Sequence, residues 1–204
     1  VGELNILGNN ARFNHQSGIS TVTGNTNITS SVNSNGTRNA LEILGGTMIL
    51  NNVNLIQGTV NNNNRDAALI LNGGDADVNG NIVMDCNSLN GYVTFNGLGD
   101  LYCAGSIQGG NIFVNGGIGD IYMDGTLANT LAGNNAGLLS GGGNYTMNNL
   151  YIQNAGTTTL DSNIQVNDFD LQGGNFSCTS HTLSVRNDFL VTTPTDAFIE
   201  NTGR

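Results

Sequence analysis

Apolar and polar residues trade places along this chain in short bursts. LNIL (4–7), LEIL (41–44), TMIL (47–50), VNLI (53–56), ALIL (68–71), YVTF (92–95), NIFV (111–114), IQV (164–166), DFDL (168–171), TLSV (182–185) and DFLV (188–191) all follow the pattern. A period of two reads as a strand with one side buried and one side wet. Between the bursts stand Gly-Gly, Asn-Asn or Asn-Gly, the last at 35, 72, 79, 90, 96 and 115. These residues tolerate positive φ and turn the chain after each strand. Helical spacing is nearly absent, and LAGNNAGLL (131–139) is the only stretch suited to a helical turn or two.

Asn-Gly between alternating strands usually marks an antiparallel hairpin. Repetition at about 20 residues marks a solenoid instead. The longer phrases decide between them. LNGGDADVNG (71–80), FNGLGDLYCAG (95–105) and VNGGIGDIYMDG (114–125) share one order. Each runs apolar-Asn-Gly, a glycine-rich corner, Asp, an alternating strand, then Gly. FDLQGGNFSCTSHTLSVRNDFLV (169–191) repeats a related order late in the chain. A meander has no reason to repeat at the length of one circuit, whereas a coil stacks equivalent residues ~4.8 Å apart.

The expectation is an all-β fold, a right-handed parallel β-solenoid of about eight to ten coils of roughly 20–25 residues. Such a rod would be ~40–48 Å long. It would fill 1–204 as a single segment, with longer loops near 30–39, 61–66 and 127–144. Leu, Ile, Val and Phe point inward. Asn at the corners forms amide ladders from coil to coil, as in cross-β stacks.

Composition sharpens this picture. The 204 residues hold 36 Asn, 30 Gly, one Pro (Pro194), no Trp and no Lys. Stacked Lys would set like charges side by side on successive coils, so its absence suits the architecture. The five cations are all Arg, against 15 scattered acids, for a net charge of −10. That balance gives no footprint for nucleic acid or for anionic lipid. No apolar run approaches the ~20 residues of a spanning helix. The chain opens on VGELNIL without Met or a signal peptide, which reads as a piece of a longer product whose export signal lies elsewhere. Cys86, Cys103 and Cys178 are too few for a disulfide framework. They read as small core filler, with a disulfide between chains as the sharper alternative.

NIQVNDFDLQGGNF (163–176) and HTLSVRNDFLV (181–191) resemble the repeat text of giant Bacteroidota surface adhesins, including the gliding-motility type exported by the type IX system. The rhythm is also similar to the β-helical shafts of filamentous haemagglutinins and autotransporters. The resemblance implies an extracellular stalk or filament and carries over no catalytic or ligand residues.

Hydrolases of this shape pair carboxylates on neighbouring positions, but the chain has no Asp-Asp pair. His15 and His181 fall near opposite ends, and no Lys or Arg lies between Arg65 and Arg186. No enzymatic role is expected. Acids cluster mid-chain at Asp75, Asp77, Asp85, Asp100, Asp120 and Asp124. Asp100 and Asp120 match in the repeat, so they are candidate calcium ligands, although GGIGD (116–120) falls one residue short of the calcium-binding nonapeptide. The plainer alternative is a corner aspartate accepting from backbone N–H groups.

Tyr102 and Tyr122 also match. If Leu101 and Ile121 face inward, alternation sends both tyrosines outward as a contact surface, within a possible stripe with Tyr92 and Tyr151. Asn27, Asn35, Asn144 and Asn175 head Asn-x-Ser/Thr sequons, which so Asn-rich a chain produces by chance. Thr-rich TVT (21–23), TNIT (26–29) and TTT (157–159) do not recur at coil spacing, which argues against an ice-binding array.

The expected role is a structural or adhesive segment of an extracellular bacterial surface fibre. Its expected partners are its own copies or neighbouring repeats end to end, and surface glycans. The alternative is a carbohydrate-binding or carbohydrate-cleaving β-helix such as a phage tail fibre domain.

Overall fold

The computed structural model describes residues 1–30, 37–57, 65–86, 91–125, 129–131, 147–160, 163–178, 181–192 and 197–199. They form a parallel β-solenoid. Each strand pairs with its counterpart one circuit later, and three faces wrap one apolar column. Most of the anticipated loops at 30–39, 61–66 and 127–144 lie outside the described residues. Their edges are strand: Thr37–Ile43, Arg65–Leu71 and Asn129–Leu131.

The first sheet face stacks Ile19–Val22, Thr47–Leu50, Asp75–Val78, Leu101–Cys103, Ile121–Met123, Leu150–Ile152, Phe169–Leu171 and Phe189–Val191 in unbroken register. The second face follows it around a corner. Its strands include Thr26–Ile28, Val53–Ile56, Ile82–Asp85 and Ile107–Gly109. Strands Ile19–Thr29 and Thr47–Ile56 pass through that corner without a break, so the two faces count as one 15-stranded sheet. The third face stacks Arg12–His15, Thr37–Ile43, Arg65–Leu71, Gly91–Phe95 and Asn111–Val114.

Alternation explains the core. On the first face, Met48, Ala76, Leu101, Ile121, Leu150 and Phe169 lie in one inward column and are buried. Leu50, Val78, Cys103, Met123, Ile152 and Leu171 form the next inward column. The third face adds Leu41, Leu69 and Val93, with Ile43, Leu71 and Phe95 beside them. Each fully buried aliphatic side chain contributes roughly 1.5–3 kcal/mol of transfer free energy. The column stays continuous because coil length varies mostly between the strands, and the one shift within a strand, between Val22 and Asn25, falls where Ile19–Thr29 turns from the first face to the second. Equivalent residues are separated by 18 to 29 positions, wider than the 20–25 expected, and the excess goes into the corners.

Two devices join coil to coil. The first is the amide ladder, expected at the corners and found also within the strands of the second face. Asn54 donates from Nδ2 to Oδ1 of Asn27 at 2.8 Å, and Asn27 donates to Asn5 at 2.9 Å. The Asn115–Asn96 and Asn187–Asn167 pairs repeat it elsewhere. The second is close approach. A Cβ on Gly99 would collide with the carbonyl of Gly74 one coil back, and one on Gly119 with the carbonyl of Gly99. Only glycine lets these backbones stack at sheet spacing.

Cys86, Cys103 and Cys178 are buried and not joined in disulfides. Burial pushes the thiols of Cys86 and Cys103 up to about 12, as expected of core filler.

Candidate functional site

The outer surface of the first face is where the candidate residues meet. Side chains alternate along each strand, so every level presents three outward positions about 6.6–6.8 Å apart. Stacking turns these positions into three columns running along the rod.

The leading column holds Asp75, Asp100, Asp120, Asn149, Asp168 and Asp188. Oδ1 of Asp75 accepts from the N–H of Asp100 at 2.9 Å, and Oδ1 of Asp100 accepts from the N–H of Asp120 at 2.8 Å. Oδ1 of Asp120 accepts from the N–H of Asn149, and Oδ1 of Asp168 from that of Asp188. The repeated aspartate therefore joins coil to coil through the backbone. Asn81 does the same at another corner, accepting from Ser106 N–H at 2.8 Å. Asp100 and Asp120 are adjacent, as their matching positions implied. Each carboxylate commits one oxygen to the next coil, and no group of three or more His, Cys, Asp and Glu is placed to hold a metal among the described residues.

The central column contains a stack of three tyrosines. Tyr102 pairs in register with Tyr122, and Tyr122 with Tyr151. Ring centroids are 4.6 Å apart at both steps, with planes inclined by 11° and 7°. Leu101 and Ile121 are buried beside them, so alternation directs the tyrosines outward as the sequence indicated. Asp77 closes the stack at one end and Asp170 at the other, each in register with the terminal ring. Tyr92 does not join the stripe. It lies on the outer side of the third face in a small buried cluster with Ala40, Ala68 and Ile70. There its hydroxyl donates to Oδ2 of Asp66 at 3.2 Å, beneath the guanidinium of Arg38.

The third column runs through Ala104, Asp124, Gln153 and Gln172. Gln153 donates to Gln172 across the coils at 2.8 Å. Counted together, the three columns carry eight aspartates and no Arg or His. Asp85, the remaining mid-chain acid, belongs to the second face.

Electrostatics follow from this crowding. Burial raises the carboxyl of Asp100 above the usual range, and the charges of Asp120 and Asp75 add to it. Burial also raises Asp120, against hydrogen bonds from Asn149 and Asn148. Asp124 rises through burial and then the charge of Asp77. The three stacked phenols are raised by burial and by the surrounding carboxylates, so they stay neutral and keep their protons to donate.

The arrangement sets limits on its chemistry. Both faces of the Tyr122 ring are covered by its neighbours. The surface therefore offers ring edges, hydroxyls, amides and carboxylates rather than open aromatic planes. His15 and His181 stand at opposite ends of the stack: His15 pairs with Ile43 in an early coil, and His181 precedes Leu183–Val185 in a late one. Sequons Asn27 and Asn175 lie in strands, while Asn35 and Asn144 lie outside the described residues. No helix among the described residues is long and apolar enough to cross a membrane.

Three acids on this face escaped the sequence reading: Asp168, Asp170 and Asp188. Their signal was the pair NDFD (167–170) and NDFL (187–190), in which Asn-Asp occupies the corner that Gly-Asp fills in earlier coils. No protein-family model, curated protein or solved structure matches the chain.

Proposed function

We propose that the chain is a structural and adhesive segment of an extracellular bacterial surface fibre, in which the coil stack is both shaft and contact surface. The observation that carries this reading is the state of the end coils. Phe13 lies in an inward column at one end, in register with Leu41, yet is 41% exposed. Phe189 and Val191 continue the inward columns at the other end and are 48% and 40% exposed. Beside Phe13 opens a cavity of about 320 Å³, lined by Leu4, Ser20, Val22 and Met48 among others. Apolar surface at both ends of a stack is surface that further coils, of the same or a neighbouring chain, would cover. The Asn/Gly-rich rhythm of 163–191 supports a place at the cell surface.

Electron microscopy and analytical ultracentrifugation of the chain test the proposal. End-to-end rods that lengthen with concentration are expected. Uniform single particles whose ends are folded over and closed overturn it.

A second reading, a carbohydrate-binding β-helix, is favoured by the tyrosine stack with its bordering acids. A glycan array combined with a reducing-sugar assay separates the two readings. Turnover abolished by Asp100→Asn would reverse their order.

A further inference from the structure

The outer surface of the first face has a charge, a spacing and a chemistry, and together they narrow what can lie on it. We propose that this face binds a linear amine-bearing polysaccharide, laid along the rod over the stack of Tyr102, Tyr122 and Tyr151. This deepens the reading of the rod as a contact surface and rests on it.

Charge comes first. The stack is bracketed by Asp77 and Asp170 in its own column, flanked by Asp100 and Asp120 on one side and by Asp124 on the other. No cationic side chain stands in these columns to neutralise them. The complementary ligand is a polycation, and electrostatic complementarity on this scale governs selectivity and encounter.

Spacing separates the candidate polycations. Outward groups repeat along the rod once per coil, ~4.8 Å. In an extended β-1,4-linked glucosamine chain successive rings are turned over, so ammonium groups on one side recur at about every second coil and keep step with the stack. An extended polypeptide returns a side chain to the same side only every ~6.6–6.8 Å, and falls out of step within two coils.

Surface chemistry points the same way. Protein partners anchor on aromatic or apolar side chains that fill pockets. This face is flat, the tyrosine planes are turned against one another, and the exposed groups are phenol hydroxyls, amides and carboxylates. Those groups suit the hydroxyls and amines of a sugar.

The test is calorimetric titration with short oligomers of glucosamine, of N-acetylglucosamine and of lysine, at low and moderate salt. The glucosamine oligomer is expected to bind, and to weaken as salt rises. The triple variant Asp77→Asn, Asp120→Asn, Asp170→Asn should weaken it by roughly tenfold or more. Asn keeps an acceptor in each position, and a thermal melt unchanged or raised confirms that the coil is intact. Tyr122→Phe, which keeps the stack and removes one hydroxyl, should weaken binding by a smaller factor. Equal binding of the acetylated oligomer, equal binding of the lysine oligomer, or indifference to the triple variant each overturns the proposal. A chain that ignores the glucosamine oligomer and still forms end-to-end rods sinks this inference and leaves the fibre reading standing.

Discussion

The backbone N–H of Asp120 donates to Oδ1 of Asp100, 2.8 Å away and one coil earlier. The repeated Gly-x-Gly-Asp phrase is therefore a joint between coils. Replacing Asp100 with Ala strands the Asp120 amide in a half-buried corner and should cost about 1–3 kcal/mol. Asp100→Asn keeps the acceptor oxygen and removes a charge from a crowded column, so it should be neutral or stabilising. Chemical denaturation of the two variants checks this. Equal losses would show that charge, rather than the acceptor, holds the joint.

Gly99 tests the close approach at the same corner. A methyl group there meets the carbonyl of Gly74, which is backbone and cannot swing aside. Gly99→Ala should destabilise by about 1–3 kcal/mol, the range of overpacked sites. Leu98, its neighbour, is 70% exposed, and Leu98→Ala should change stability by less than about 0.5 kcal/mol. Melting temperatures of the pair suffice, and a tolerant Gly99 would mean that the coils can separate locally.

These two positions also mark how far the sequence could be read. GLGDLY and GIGDIY align because Gly119 sits on Gly99, Asp100 accepts from Asp120, and Tyr102 stacks on Tyr122. One set of coil-to-coil contacts dictates one set of letters. The register of the middle coils was legible for that reason. Coil length was less so, because additions between strands leave the inward columns untouched and no contact penalises them. Tyr92 misled for a different reason. Alternation tells which residues share a side of a sheet but not whether something covers that side, and the outer side of the third face is covered around Tyr92. Asp168 and Asp188 were missed because Asn replaces Gly before them, hiding the same corner under another spelling.

The three thiols should be silent in the native state. Cys103 is fully buried, and burial pushes its thiol and that of Cys86 up to about 12, leaving almost no thiolate at neutral pH. Thiol-reactive dye should label all three only after denaturation. The migration of the chain on gels should not depend on reductant. Rapid native labelling, or a reductant-sensitive dimer, would favour the interchain disulfide over core filler.

Tyr122 lies against two rings and Tyr102 against one. Stacked aromatic pairs contribute about 0.5–1.5 kcal/mol each beyond burial. Tyr122→Leu should therefore destabilise more than Tyr102→Leu by about one such pair, while Tyr122→Phe should cost little. Near-ultraviolet circular dichroism should lose most of its coupled tyrosine signal in Tyr122→Leu alone. Equal losses at the two positions would show that the rings merely lie side by side.

The acids of the first face give stability a pH dependence of unusual sign. Folding raises the carboxyls of Asp100, Asp120 and Asp124, in each case first through burial. A raised group binds its proton more tightly in the folded chain than in the unfolded one. Its ionised form therefore opposes folding. That penalty is full above the folded value and vanishes below the unfolded value near 3.9. Stability should rise as pH falls from neutrality through the upper carboxylate range, opposite to a protein held by salt-bridged aspartates. Added salt at neutral pH should mimic part of the gain by screening the columns. Replacing Asp100, Asp120 and Asp124 together by Asn should flatten the profile while preserving the acceptors that join the coils. Denaturation midpoints between about pH 4 and pH 8 measure all three effects. A midpoint that falls on mild acidification would show that the backbone hydrogen bonds to these carboxylates outweigh their crowding, and the face would then be held together by its charges rather than strained by them.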